Sequence, residues 1–191
     1  MKIGLFGGTF NPIHNGHLAL TSRLLQAAKL DEVWLLVTPQ NPWKANMELL
    51  DDDTRLLMAR AAVEDMPGLV ASDYEFHLPR PSYTWDTLQS LSHDFPQHSF
   101  ILLIGGDNWA KFGQWYAHDK ILENYDVAIY PRKGYEIDRS ALPPRVRVLR
   151  TKLIDISSTE IRQRIAQGLP FEQLVPPQVA DIIRKRGLYK Q

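Results

Sequence analysis

The run Lys2-Ile3-Gly4-Leu5-Phe6, followed at once by Gly7-Gly8-Thr9-Phe10-Asn11-Pro12-Ile13-His14-Asn15-Gly16-His17-Leu18, decides how this chain folds. Lys2 to Phe6 reads as a buried strand, and Leu18 to Lys29 carries apolar residues at helical spacing, so a glycine-rich loop joins a strand to a helix. Outward from there the alternation recurs. Glu32 to Thr38 (EVWLLVT) is a second strand stopped by Pro39, and Asp53 to Met66 is a helix ended by Pro67-Gly68. Val70 to Phe76 follows as a third strand and Thr84 to Phe95 as a helix. Ser99 to Ile104 is a fourth strand with Gly105-Gly106-Asp107 at its carboxyl end, Asp126 to Tyr130 a fifth, and Val146 to Leu149 a sixth. Ser157 to Gly187 reads as helical with a break at Pro176-Pro177. Strands alternating with helices predict an α/β fold, a Rossmann-like doubly wound parallel sheet. Residues 1–191 are expected to form one domain, with a small C-terminal helical appendage from about residue 157. Ligands of such sheets bind beyond the carboxyl ends of the strands, where the motifs of this chain fall.

Composition removes several classes of function. Lys plus Arg and Asp plus Glu are 22 each, so the chain lacks the basic excess of a nucleic-acid binder. No apolar run approaches the roughly 20 residues that span a bilayer, and Met1 to Phe6 is too short in its apolar part to read as a secretion signal. Cysteine is absent, which rules out disulfides, thiolate metal sites and a cysteine nucleophile, and suits a cytoplasmic protein. A small anionic ligand needs only a local positive patch.

The N-terminal loop is built for phosphate. Gly7 and Gly8 let backbone amides approach a ligand closely, and Gly16 and His17 lie where free helix amides and the dipole favour anions. His14 and His17 are three residues apart and can face one ligand, where an imidazole donor stabilises charge that grows in a transition state. A dinucleotide-binding loop is the alternative, with Asp31 and Glu32 near its ribose acid, but the G-x-G-x-x-G spacing is not met. A metal pair is another, and two histidines are too few ligands.

A second phosphate site lies at Ile156-Ser157-Ser158-Thr159-Glu160-Ile161-Arg162. Ser157 and Glu160 have capping-box spacing, so these residues also read as an ordinary helix start. A capped N-terminus with Arg162 in its first turns is equally an anion site.

Together the two motifs resemble H-x-G-H and I-S-S-T-x-x-R of the nucleotidyltransferase superfamily. The resemblance implies that Gly7, Gly8 and Thr9 contact phosphates and that His14 and His17 bind the ATP phosphates around the reacting phosphorus. It implies that Ser157, Ser158 and Arg162 grip the β- and γ-phosphates. Three further stretches are similar to the bacterial nicotinate-nucleotide adenylyltransferases: Pro81-Ser82-Tyr83-Thr84-Trp85-Asp86-Thr87-Leu88, Gly105-Gly106-Asp107 with Trp115-Tyr116 downstream, and Pro39 to Lys44 (PQNPWK). By that resemblance, amides around Tyr83 and Thr84 receive the nicotinate carboxylate, Trp115 stacks on the pyridine, and Lys44 lies near the phosphates. Gly105 and Asp107 would hold ATP. Asn11 stands where an aspartate is more frequent.

Each of these residues also has a plainer reading. Ser82-Tyr83-Thr84 suits a turn into a helix capped by Thr84. Trp115 suits a core position, Asp107 a helix cap, and Lys44 a solvated loop. His77, His93, His98 and His118 belong to no motif and read as surface or packing residues.

The family's reaction requires no general base, because a phosphate monoester is already ionised at neutral pH. The expected substrates are ATP and nicotinate mononucleotide. His17 would act on the α-phosphate and His14 beside it, with Mg²⁺ carried by the ATP phosphates and no dedicated protein metal site. A pantetheine-phosphate adenylyltransferase would leave Tyr83, Thr84 and Trp115 unexplained. A non-catalytic nucleotide sensor would have no need of His17 or Arg162.

Overall fold

A computed structural model of the protein describes residues 1–40, 49–153 and 156–190. Six strands form one all-parallel sheet: β1 (Lys2–Gly8), β2 (Glu32–Val37), β3 (Leu69–Ser72), β4 (Ser99–Gly105), β5 (Asp126–Tyr130) and β6 (Val146–Val148). Their order is β3-β2-β1-β4-β5-β6, which reverses direction between β1 and β4 and opens a crevice there. The helices are α1 (Asn15–Ala27), α2 (Asp52–Val63), α3 (Thr84–Asp94), α4 (Gly106–Trp109), α5 (His118–Asn124), α6 (Ser158–Ala166) and α7 (Pro177–Arg186).

The period of two along each strand divides the core between the two faces of the sheet. Val33, Leu35, Val37, Ile101 and Leu103 face one side, where α1, α2, α6 and α7 bury Leu24, Met58, Ile161 and Ile183. Leu36, Phe100, Leu102 and Ile104 face the other, packed with Leu88 and Leu91 of α3 and Ile121 of α5. Each such side chain contributes about 1.5–3 kcal/mol by leaving water. Because both faces are covered, the strands read as continuous apolar runs, which is why they stand out in the sequence.

Among the boundaries that differ from expectation, β1 runs on through Gly7 and Gly8, α2 spans Asp52–Val63 instead of Asp53 to Met66, and three others have a visible cause. α1 begins at Asn15, a turn before Leu18, because the His14 side chain caps it. The third strand stops at Ser72 instead of reaching Phe76: its partner β2 ends at Val37, and residues Tyr74–His77 turn into a 3₁₀ segment. The Ser72 hydroxyl accepts the Tyr74 amide at the turn. The C-terminal helix is interrupted earlier than Pro176, since Gly168 with φ +67° follows α6 and a 3₁₀ segment Glu172–Leu174 precedes α7.

Candidate active site

The loop after β1 is organised by two histidines. The His17 backbone amide donates to His14 Nδ1 at 3.3 Å, and the His14 amide donates to His17 Nδ1 at 3.2 Å. This is a capping box in which imidazoles take the place of hydroxyl and carboxylate. The rings stack with centroids 3.6 Å apart, and the His17 ring meets the edge of Phe10. Each Nδ1 is an acceptor, so in the neutral rings the hydrogen sits on Nε2. Burial, then the nearby Arg132 charge, lowers the His14 pKa to about 4. The His17 pKa is lowered by burial, then by His14 and Arg132. At neutral pH both rings are uncharged hydrogen-bond donors.

The loop is closed by long-range bonds. Ser158 Oγ donates to the Pro12 carbonyl at 2.9 Å, and Arg162 Nη1 donates to the Asn11 carbonyl at 2.9 Å. Asn11 Oδ1 accepts from the Tyr189 hydroxyl at 2.8 Å, so the C-terminal segment holds the N-terminal loop. An amide oxygen thus serves at the position where the resemblance favours aspartate.

Beside the histidines, at the carboxyl ends of β4 and β5, lies a cavity of about 650 Å³. Arg132, Lys133 and Lys152 line it against Asp107 and Glu160, which leaves a positive balance suited to an anion. A smaller recess lined by His14, His17, Arg132, Ser157 and Ser158 adjoins it. Asp107 Oδ1 is buried without a hydrogen-bond partner, and the guanidinium of Arg132 stays 3.6 Å away. A buried acceptor lacking a donor is costly, and a ligand with hydroxyl groups would satisfy it. Gly105 makes room for this carboxylate, because a Cβ there would overlap Asp107 Oδ1 and press on Tyr130 and Arg132.

On the far side, Ser82, Tyr83, Thr84, Gln114, Trp115 and Tyr116 form a cleft of about 310 Å³. The exposed Tyr83 and Tyr116 rings lie 5.0 Å apart at its mouth. An inner cavity shares Thr84 and Trp115 with this cleft, shares Tyr130 with the large cavity, and reaches Gly7. These spaces lie side by side, sharing lining residues, across the switch point of the sheet.

A family model described as cytidylyltransferase-like matches residues 5–164. A probable nicotinate-nucleotide adenylyltransferase of Bacteroides thetaiotaomicron is 44% identical over 185 residues, covering 97% of this chain and 92% of its own. Its counterpart in Flavobacterium johnsoniae is 42% identical over 193 aligned positions, with 100% of each chain covered. The chain belongs to the nicotinate-nucleotide adenylyltransferase family. The fold agrees with two solved structures. The Plasmodium falciparum nicotinic acid mononucleotide adenylyltransferase, solved with NaAD, superposes with a TM-score of 0.82 at 21% identity and covers 98% of this chain and 97% of its own. A Vibrio parahaemolyticus protein described as a putative member gives 0.73 at 24%, covering 100% and 96%.

Within this family frame, most residues expected from the sequence converge on the row of cavities. His14, His17, Ser157, Ser158 and Asp107 line its basic half, and Tyr83, Thr84 and Trp115 its aromatic half. Gly7 borders the inner cavity between them. Arg162 lies apart from the histidine recess, in a groove with Tyr189 and Leu50. Thr84 is the first residue of α3 rather than its cap; the cap position is Tyr83, with no side-chain bond. Trp115 satisfies both readings, packing on the core below and lining the cleft above. Lys44 lies outside the described residues.

Sequence reading missed Arg132, Lys133 and Lys152. The first two follow the carboxyl end of β5 after Pro131, and the rule that ligands sit beyond strand ends is the signal that would have found them. Lys152 belongs to an irregular segment, and its place in the cavity is a tertiary fact. Among the described residues, no helix is long and apolar enough to cross a membrane.

Proposed function

We infer that the chain transfers AMP from ATP to the 5′-phosphate of nicotinate mononucleotide, releasing pyrophosphate and forming nicotinate adenine dinucleotide, a step of NAD biosynthesis in the cytoplasm. One observation supports this reading: a basic cavity beside a histidine pair and an aromatic cleft each share lining residues with a small inner cavity between them. A pantetheine-phosphate acceptor would leave the aromatic half without a purpose.

ATP occupies the basic half. Its ribose hydroxyls donate to the unpartnered Asp107 Oδ1, and its phosphates extend past Arg132 towards the histidines. The pyridine of the acceptor lies on Trp115, with its carboxylate at the backbone amides around Tyr83 and Thr84. An acceptor phosphate oxygen attacks the α-phosphorus in line; the α–β bridging bond breaks, and pyrophosphate leaves with the electron pair. Nothing in this sequence needs a protein base. His17 Nε2–H donates to the α-phosphate oxygens as charge grows, and His14 Nε2–H supports it. Gly7, Gly8 and Thr9 supply amides, and Ser157, Ser158 and Arg162 hold the leaving group. Ser158 and Arg162 must then exchange their present partners, Pro12 and Asn11, for phosphate.

The residues present fit a Mg²⁺ that arrives on ATP. Phosphate oxygens and water would supply most of its ligands, as is usual for Mg²⁺ bound to a nucleotide. Such an ion would supply charge neutralisation along the polyphosphate.

The test is pyrophosphate release from ATP and Mg²⁺, with nicotinate mononucleotide, nicotinamide mononucleotide or phosphopantetheine supplied separately. The expected result is strong preference for the first, and equal or greater turnover with phosphopantetheine would overturn the acceptor.

A further inference from the structure

A line of charge crosses from the phosphate loop to the aromatic cleft through residues outside every motif above. Arg55, near the start of α2, is the largest fully buried side chain among the described residues, with 0% exposure. Its guanidinium donates to the carbonyls of Thr9 at 2.6 Å, Thr38 at 2.8 Å and Leu50 at 2.9 Å. Its Nη2 also pairs with Asp52 Oδ1 at 2.5 Å. Asp52 Oδ1 accepts the Gln40 amide at 3.0 Å, while its Oδ2 pairs with Arg80 at 2.8 Å. Arg80 immediately precedes Pro81-Ser82-Tyr83-Thr84, the wall of the aromatic cleft.

Burying a guanidinium carries a desolvation cost that an apolar side chain of equal volume avoids. An aliphatic residue would fill this space, but it would not bind carbonyls from separate segments. The planar fork of arginine does so in one fixed geometry. The segments it joins are the phosphate loop at Thr9, the end of β2 at Thr38 and, through Asp52 and Arg80, the acceptor segment. The two halves of the reaction are thereby referenced to one buried group.

We propose that Arg55, Asp52 and Arg80 are positioning residues that set the acceptor segment at 80–84 against the phosphate loop at Thr9, aligning the attacking oxygen with the α-phosphorus. The inference rests on the transfer reaction proposed above. Its outer end makes it testable: Arg80 is 41% exposed and can be changed at little cost to stability, whereas Asp52 is 17% exposed and is the carboxylate partner of the buried Arg55.

The experiment measures kcat and KM for both substrates, with melting temperature alongside, in Arg80→Gln, Asp52→Asn and their double variant. Arg80→Gln is expected to lower kcat/KM for the acceptor about tenfold, with KM for ATP within about twofold and an unchanged melting temperature. Asp52→Asn should reproduce this kinetic loss, with a lowered melting temperature because the buried Arg55 loses its carboxylate, and the double variant should be kinetically no worse than the worse single one. Arg55→Lys keeps the charge but loses the fork, and is expected to impair both substrates. If Asp52→Asn behaves as wild type while Arg80→Gln is impaired, Arg80 acts on the acceptor directly and the relay is wrong. Wild-type kinetics in both single variants, or additive losses in the double, would also overturn it. A wild-type protein that turns over a different acceptor would sink the functional reading alone, and the same variants would then score the relay on that acceptor.

Discussion

His14 and His17 hold each other: each imidazole Nδ1 accepts the other residue's backbone amide, and the two rings stack 3.6 Å apart. The pair therefore caps α1 and aims two Nε2–H donors with the same set of bonds. Turning the His17 ring releases the His14 amide, whereas the His17 amide is held by the His14 carbonyl at 3.0 Å as well as by the His14 ring.

Removing His17 separates these roles. His17→Ala leaves the His14 cap on the His17 amide in place but removes the donor assigned to the α-phosphate. Turnover is expected to fall by about 10²-fold or more, the scale of losing one transition-state donor. The melting temperature should fall by only a few degrees, on the scale of losing half of the capping box, since the His14 amide loses its acceptor. Near-normal kcat in the purified variant, at saturating ATP and acceptor, would refute the assignment.

Burial of neutral histidine makes stability depend on pH. The folded His14 pKa of about 4 lies below its ordinary value of 6.5. Between those values the unfolded chain binds a proton that the folded chain does not, so stability rises with pH. This contribution is full above about pH 6.5 and is lost as pH falls towards 4, for at most about 3 kcal/mol from this residue. His17 acts in the same direction. His14→Asn keeps a capping acceptor without a titrating ring and should flatten this part of the profile. Urea unfolding at pH 7 and pH 4.5 measures it, and an unaltered difference between the two pH values would contradict the origin assigned here.

Gly105 is a test of the donor cavity. Its missing Cβ is the space that Asp107 Oδ1 occupies. Gly105→Ala should displace the carboxylate and raise KM for ATP by about tenfold, equivalent to roughly 1.4 kcal/mol, while KM for the acceptor stays near its original value. Titration of an ATP analogue by calorimetry gives the same comparison without turnover. Equal weakening for both ligands would mean that the substitution disturbs the sheet rather than the ribose site.

Several features were legible in the residues themselves. The strands show because both faces of a parallel sheet are buried, so EVWLLV and SFILLI stand out as apolar runs. The glycine loop and the Ser157 cap show because their chemistry is local, and Ser157 Oγ indeed accepts the Glu160 amide at 3.1 Å. The overlong third strand failed for a nonlocal reason: a strand extends only as far as its neighbour offers a ladder, and β2 had already ended.

The sequence by itself determined the order of the six strands and of the longer helices, the glycine-bearing turn between β1 and α1, and the residues whose pattern marks the family. Those depend on bonds between near neighbours and on a periodicity that survives in one dimension. Only the tertiary structure decided that burial holds both histidine pKa values down, that Arg132 and Lys152 line the cavity beside them, and that Asp107 Oδ1 has no hydrogen-bond partner. It also decided that Arg55 is buried between the two substrate loops. Charge state, cavity shape and long-range pairing depend on which distant segments exclude water from a group, and chain order does not carry that information.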